Sequence, residues 1–380
     1  MSQIKNSVKS IGETISVCIN NNLTFAAYRL PNQPEQTLIV QKKPGYEKVT
    51  SLSDITEMKG FFVAPFLQSE KISSFIINPD YWLHGVVSNN QFESIGSIKH
   101  PVQNTGQEKL PYEVTKDEYL QQIDSIINTI KIKKIQKAVL SRIKLVAGNF
   151  ENLLPAVFDK LCDLFPNAFV YIFRAGEHCW MGATPEPFAN LKNNEFQTSS
   201  VAGTKENTEK YLWIENWGYK EKQEQNYVSD FIGDVLKKNN WENIVQHGPY
   251  VDKAGNVLHL RTDFTSSANF INGNVGELLK NLHPTPAVCG SPAGEALKII
   301  RSVEKHNREY YGGFLGPVGL GNTMLLFVNL RCMKITSSHL LLFSGGGITI
   351  DSNPVDEWYE TEIKTGTLLS AIKNFTHSDE

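Results

Sequence analysis

Glu357, Glu360 and Lys364 stand at i, i+3 and i+7 of a segment that reads as a helix beginning after Pro354. Side chains three and four apart lie near one helix face. Two carboxylates and an ammonium would therefore converge. Immediately upstream, a short apolar run with strand character ends in Gly345, Gly346 and Gly347. Side-chain-free backbone beside convergent carboxylates suits an anionic ligand and a hard cation. It is a poor way to build an ordinary core. The combination points to a magnesium-dependent enzyme for a small acid.

Other residues could serve such chemistry, and each has a plainer reading beside it. Lys137, in IQKAVLSR, falls in an expected strand and shares a face with Val139 and Ser141. It is either a solvated strand lysine or, among apolar groups, an amine of lowered proton affinity that acts as a general base. Glu186, in WMGATPEPF, is either an exposed turn carboxylate or a general acid. Ala202, Gly203 and Thr204 form a small-residue turn that permits close approach of a ligand, although a tight turn alone explains them. Glu224 sits on the polar side of an expected helix. It is either solvated or, with Glu357 and Glu360, an oxygen ligand for Mg²⁺. Cys289 has no neighbouring charge pattern that would activate a thiolate and reads as a packing residue.

The elements that must position these groups can be outlined. The chain has 380 residues, 41% hydrophobic and 20% charged, enough for a sizeable core. A net charge of -3 gives no reason to expect a nucleic-acid partner. Lysines between 131 and 144 alternate with apolar residues and read mostly as the exposed face of a strand. The five cysteines are widely spaced, which suggests neither a disulfide framework nor a zinc knuckle and fits a reduced cytoplasmic setting. No secretory core or spanning run is expected. Residues 1 to about 110 read as short strands and loops. Helical spacing follows in KDEYLQQIDSIINTIK, then a β-branched strand, KIQKAVLSRIKLV. A helix over LLPAVFDKLCDLF, a strand AFVYIF and a helix through KQEQNYVSDFIGDVLKK come next, the last with Tyr227, Phe231 and Val235 as its apolar stripe. Two long strand-like runs, TMLLFVNLRCMKI and HLLLFSGGGITI, precede the final helix. The order is α+β, without the regular repeat of a barrel and without a dinucleotide or phosphate-loop signature.

Several of these segments occur together in one order. They are KAVLSR (137–142), MGATPEPF (181–188), SVAGTK (200–205), KEKQEQNYV (220–228), LHPTPAVCGSP (282–292), REYYGGFLGPVG (308–319), FVNLRCMKI (327–335) and SGGGITIDSNPVDEWYETEIK (344–364). A lone AGT would be weak. The ordered set resembles the chorismate-utilising enzyme family, and most closely its isochorismate synthases, over residues 115–375. The resemblance implies one large α+β chorismate-binding domain with extensive β-sheets and surrounding helices. Residues 1–114, weakly matched, would be its N-terminal portion. It also implies roles. Lys137 matches the base that activates water, and Glu186 the acid opposite it. Glu224 and Glu360 match Mg²⁺ ligands, and Glu357 an acidic neighbour. Arg331 and Lys364 match substrate-anchoring cations. The Gly345–Gly347 loop would approach a substrate carboxylate, and His283 would lie near the ring. Arg331 also reads as a structural ion-pair partner, Lys364 as a partner of helix carboxylates, and His283 as a turn residue.

The reaction so implied is water addition at C2 of chorismate with loss of the C4 hydroxyl. Aminodeoxychorismate synthases carry a lysine where this chain has Ala202, and anthranilate synthases use ammonia, usually from an amidotransferase partner. Water as nucleophile requires no such partner. The segment after AGT departs from relatives: KENTEKY is more acidic and lacks their glycine. An isochorismate-pyruvate lyase forming salicylate and a non-catalytic chorismate-binding protein are the competing readings. Menaquinone supply, a cytoplasmic location, no membrane insertion and a monomer or weak homodimer complete the expectations.

Overall fold

In the computed structural model, residues 8–102, 109–133, 135–254, 257–267 and 275–376 are described. Two nine-stranded sheets dominate them, and every strand pair in both is antiparallel. The first runs Gly290–Ser291, Lys137–Ala147, His339–Ile348, Cys332–Ile335, His178–Thr184, Phe169–Ala175, Thr24–Arg29, Gln36–Gln41 and Tyr81–His84. The second runs Val245–Ala254, Val257–Ser267, Glu195–Glu206, Pro187–Lys192, Thr323–Val328, Phe314–Leu320, Gly60–Ala64, Phe75–Ile77 and Glu47–Lys48. Strands before residue 115 thus enter both sheets. A small pair, Val8–Ser10 with Val86–Ser88, stands apart.

The sheets pack face to face through aromatic side chains, as alternation along each strand requires. Phe61, Phe75, Phe169, Tyr171, Phe173, Trp180 and Phe327 share this inner core. Phe169 and Phe327 stack with centroids 4.2 Å apart. Helices cover the outer faces. Ile11–Asn20, Leu154–Leu164 and the C-terminal helix Pro354–Thr376 lie on the first sheet. Tyr219–Lys238, Val275–Leu282 and Ala293–Val303 contribute to the other outer core, together with Lys116–Lys133. Among the described residues no helix is long and apolar enough to cross a membrane.

Several expectations are corrected. The N-terminal part holds two helices, Ile11–Asn20 and Asn89–Gly96, each opened by a capping box, Ser10 with Glu13 and Ser88 with Gln91. Lys131 and Lys133 end the helix Lys116–Lys133 rather than facing out of a strand, and Lys137 is buried. Lys134 lies outside the described residues. In the helix Tyr219–Lys238 the buried stripe is Gln225, Val228, Ile232, Val235 and Leu236, so Tyr227 and Phe231 are only half-buried. The run TMLLFVNLRCMKI is two strands, Thr323–Val328 and Cys332–Ile335, in different sheets.

Two buried arginines fasten the strand Lys137–Ala147 in place. Arg142 stacks on Trp358 at 3.9 Å, donates to Thr361 Oγ1 at 2.7 Å and pairs with Glu362, tying the strand to the C-terminal helix. Arg308 pairs with Glu304 and donates to the carbonyls of Val139 at 2.7 Å and Val288 at 2.8 Å. Glu304 in turn accepts from the Ser141 amide at 2.7 Å. Removing one partner of a buried pair leaves an uncompensated charge. Arg308→Met is expected to lower unfolding stability by about 3–5 kcal/mol in denaturant titration. A loss under about 1 kcal/mol would show that this clamp does not hold the strand.

Candidate active site

Two chain crossings between the sheets build the site. The chain leaves the first sheet at Thr184 and enters the second at Pro187, with Glu186 in the step. It returns between Val328 and Cys332, with Arg331 in the step. The crossings lie side by side. The Val328 amide donates to the Glu186 carbonyl at 3.0 Å, and the Ala183 amide donates to the Arg331 carbonyl at 3.1 Å. Thr184 Oγ1 donates to the Val328 carbonyl at 2.7 Å. Arg331 adopts φ 46°, a left-handed conformation unfavourable for a residue with a side chain. Both functional groups are thereby aimed into one cavity at the seam.

That cavity is lined by Lys137, Glu186, Ala202, Gly203, Thr204, Glu224, Arg331, Gly345, Gly346, Gly347, Glu360 and Lys364, all singled out from sequence. Glu357 and His283 are not among its lining residues. A second cavity, at the far end of the first sheet beside Arg174 and Thr336, is larger, about 520 Å³ against about 90 Å³. Size alone would select it, but Lys137, Glu186, Arg331 and the two glutamates Glu224 and Glu360 line the first cavity and not the second.

The three glycines are strand residues, not a loop. Gly345, Gly346 and Gly347 pair with Ser141, Leu140 and Val139. Their contribution is room. A Cβ on Gly347 would stand 2.4 Å from Lys137 Cε and 2.8 Å from Glu224 Oε1. On its other edge this strand pairs with Met333–Ile335 through Leu340–Leu342, and the backbone from Phe343 to Gly347 borders the cavity. Lys137 is 1% exposed, and its Nζ lies 2.7 Å from Glu224 Oε1. Glu186 is buried. Burial pushes its carboxyl up to about 7, against the opposing charges of Lys137, Lys364 and Arg331.

The strand Glu195–Glu206 slips register between Ala202 and Thr204, and Gly203 takes φ +71° there. A Cβ on Gly203 would meet Glu221 Cβ at 3.1 Å. The bulge turns the Gly203 carbonyl to His259, whose Nδ1 lies 2.9 Å away. A carbonyl only accepts, so Nδ1 carries the hydrogen and Nε2 accepts from Arg331 Nη2 at 3.2 Å. Burial and then Arg331 lower the His259 imidazole to about 3, so it stays neutral. Burial also lowers Arg331, to about 10, against the charges of Glu186 and Glu360.

Each of the three glutamates faces a lysine. Besides Lys137 with Glu224, Lys364 Nζ lies 2.7 Å from Glu360 Oε1 and donates to the Gly345 carbonyl at 2.9 Å. Lys220 Nζ lies 2.9 Å from Glu357 Oε1, which also accepts from Ser352 Oγ at 2.7 Å. Burial works to raise Glu360, but Lys364, with Lys220 and Lys137 behind it, holds that carboxyl below its ordinary value. Burial, then the neighbouring Glu360, pushes Glu357 up. Among the described residues no three acidic, imidazole or thiol groups already form a ligand shell. The donor set still fits Mg²⁺, which prefers carboxylate oxygens. A Cβ on Gly346 would lie 3.1 Å from Glu357 Oε2 and 3.7 Å from Glu360 Oε1, so these oxygens converge on the same glycine strand that Glu224 reaches.

His283 stands apart from the cavity. Its Nε2 reaches the carbonyls of Pro65 and Phe66 at 3.1 and 3.0 Å, and its ring packs with Phe66, Phe188 and Phe314. Burial lowers it to about 4. It is placed as a packing group, while Ala287 and Val288 of the same segment line the cavity. Cys289 is buried with its thiol raised to about 11, consistent with packing. His259, Tyr311 and Lys220 were not singled out from sequence. The alternation in LHLRTDF was the available signal for His259, which shares the half-buried face of its strand with Arg261 and Asp263.

Comparison with known proteins agrees with this architecture. Residues 75–373 match the family model described as chorismate binding enzyme. The chain belongs to that family. It is 28% identical over 266 residues to the isochorismate synthase MenF of Bacillus subtilis, covering 68% of this chain and 56% of that protein. It is 27% identical over 265 residues to the vibriobactin-specific isochorismate synthase of Vibrio cholerae, covering 67% and 66%. The match thus spans a little over half to about two thirds of these curated relatives. Anthranilate synthase component 1 of Bacillus pumilus matches at 24% identity, covering 69% of this chain and 52% of that one. In fold, the menaquinone-specific isochorismate synthase MenF from Escherichia coli superposes with a TM-score of 0.75 at 20% identity, covering 94% of this chain and 91% of that one.

The raised Glu186 carboxyl carries a sign. Between its ordinary value of 4.5 and about 7, the folded state keeps a proton that the unfolded state has released. Stability is therefore lost as pH rises through that window, and levels off above it. Relative to Glu186→Gln, the wild-type chain is expected to lose roughly 3 kcal/mol between pH 4 and 8. Parallel pH profiles of the two proteins would contradict the burial of this group.

Proposed function

We propose that the chain is an isochorismate synthase, converting chorismate to isochorismate. The observation that carries the reading is the shared cavity of Lys137 and Glu186. The one is a buried amine, and the other is a buried acid raised to about 7. An acid with that value keeps a substantial protonated fraction near neutrality and can give a proton away. Lys137, acting as the neutral amine, takes a proton from water as the water oxygen bonds to ring carbon 2. Glu186 gives a proton to the hydroxyl leaving carbon 4. The ring double bonds shift, one water enters, one leaves, and the enolpyruvyl group is untouched. Arg331, with a planar fork of donors, anchors a substrate carboxylate. Lys364 and the open edge of the glycine strand complete the anionic pocket.

Glu224 and Glu360 would hold Mg²⁺, with Glu357 beside them. Bound there, the ion would neutralise a substrate carboxylate and fix its orientation. Ala202 supplies no amine nucleophile, which speaks against the aminodeoxychorismate branch, and the nucleophile proposed is water. No amidotransferase subunit is therefore proposed. Menaquinone supply is the proposed pathway, and neighbouring genes for later menaquinone steps would support it over a siderophore route. The protein is proposed to act as a monomer or weak homodimer in the cytoplasm.

Purified protein incubated with chorismate and Mg²⁺ is expected to accumulate isochorismate, read by chromatography. Salicylate with stoichiometric pyruvate would reassign it as a lyase, anthranilate formed with ammonia would reassign it as an aminating enzyme, and binding without turnover would make it a binding protein. Lys137→Ala and Glu186→Gln should each cut turnover by roughly 10²-fold or more, with smaller changes in substrate binding. Near-normal turnover in folded variants would remove both from the chemistry. Chelation should abolish activity and added Mg²⁺ restore it; full activity after verified metal removal would rule out an essential ion.

A further inference from the structure

The cation locus is already charge-balanced by the chain itself. Three carboxylates, Glu224, Glu357 and Glu360, face three ammonium groups, Lys137, Lys220 and Lys364. A divalent ion entering among these glutamates meets a field that lysines have largely cancelled. At least one lysine must give way, and the three are not equally free to do so. Lys137 is fully buried and fitted against Gly347. Lys364 is held twice, by Glu360 and by the Gly345 carbonyl. Lys220 has a side chain 34% exposed, with solvent beside it.

Lys220 is also in an unusual place. It is the second residue of the helix Tyr219–Lys238. Cations are disfavoured at a helix N-terminus, where the partial charge of the helix is positive. Its ammonium stays there against the buried Glu357, and the charges of Glu224 and Glu360 reach it as well. Glu357 Oε1 is the atom it covers, while Oε2 faces Gly346.

We infer that Lys220 is the resident counter-ion of the site: it neutralises Glu357 while no divalent cation is bound and swings to solvent when one binds. The inference rests on the reading of Glu224, Glu357 and Glu360 as a divalent-cation site. Its consequence is that Lys220 weakens cation binding while stabilising the cation-free protein. A lysine that merely supports the site would do the reverse to affinity.

The test is Mn²⁺ binding to the full chain, followed by electron paramagnetic resonance, for the wild type, Lys220→Met, Lys220→Gln and the control Lys237→Met at the far end of the same helix. Both Lys220 variants are expected to bind Mn²⁺ about ten-fold more tightly than wild type, with Lys237→Met unchanged. Their melting temperatures should also rise more on adding Mg²⁺ than the wild type's does. Equal or weaker binding by the Lys220 variants, with the wild type binding Mn²⁺, would overturn this inference alone. No Mn²⁺ binding by any of the proteins would overturn the cation site and the inference with it. Acetylation mapping of the wild-type chain covers variants that fail to fold. Labelling of Lys220 should increase when Mg²⁺ is added, and unchanged or reduced labelling would count against displacement.

Discussion

The site depends on one constraint, the paired crossings of the chain between its two sheets. A β-sandwich normally fills the space between its sheets with apolar side chains. Here the crossings at Glu186 and Arg331 are hydrogen-bonded to each other and open a polar cavity at the seam. The strand Lys137–Ala147 and the glycine strand His339–Ile348 form the adjoining wall. A side chain at Gly347 would displace Lys137 and Glu224 from their positions. Arg142 and Arg308 hold the same wall from behind, one toward the C-terminal helix and one toward the segment before Gly290.

Charge in this cavity is arranged to be unequal. Lysines 137, 220 and 364 each meet a glutamate at hydrogen-bond distance. For Glu186 no hydrogen bond or ion pair from a cation is observed among the described residues, so burial dominates it. Neighbouring carboxyls with opposed shifts can divide acid and electrostatic duties between them. The neutral His259 between the Gly203 carbonyl and Arg331 adds a third element, since it orients the guanidinium without adding charge.

Much of this was legible in the sequence because the chemistry-bearing residues stand in short, distinctive segments. The spacing of Glu357, Glu360 and Lys364 and the helix Lys116–Lys133 follow from local periodicity. What failed depended on contacts distant in sequence. TMLLFVNLRCMKI is uniformly strand-like, and only the second sheet explains why it breaks before Cys332. Lys137 alternates like a surface lysine, yet Glu224, 87 positions away in sequence, receives its charge inside the protein. His283 precedes a motif whose later residues line the cavity, but carbonyls of Pro65 and Phe66 draw its ring away. The N-terminal helices are short, and their capping boxes were the overlooked local signal.

The central claim is that Lys137 and Glu186 move protons for a water molecule attacking chorismate across this cavity. Turnover in ¹⁸O-labelled water tests it most directly. Isochorismate isolated early in the reaction should carry one solvent oxygen, located at ring carbon 2. Isochorismate that keeps chorismate's own hydroxyl oxygen at that carbon would contradict the account.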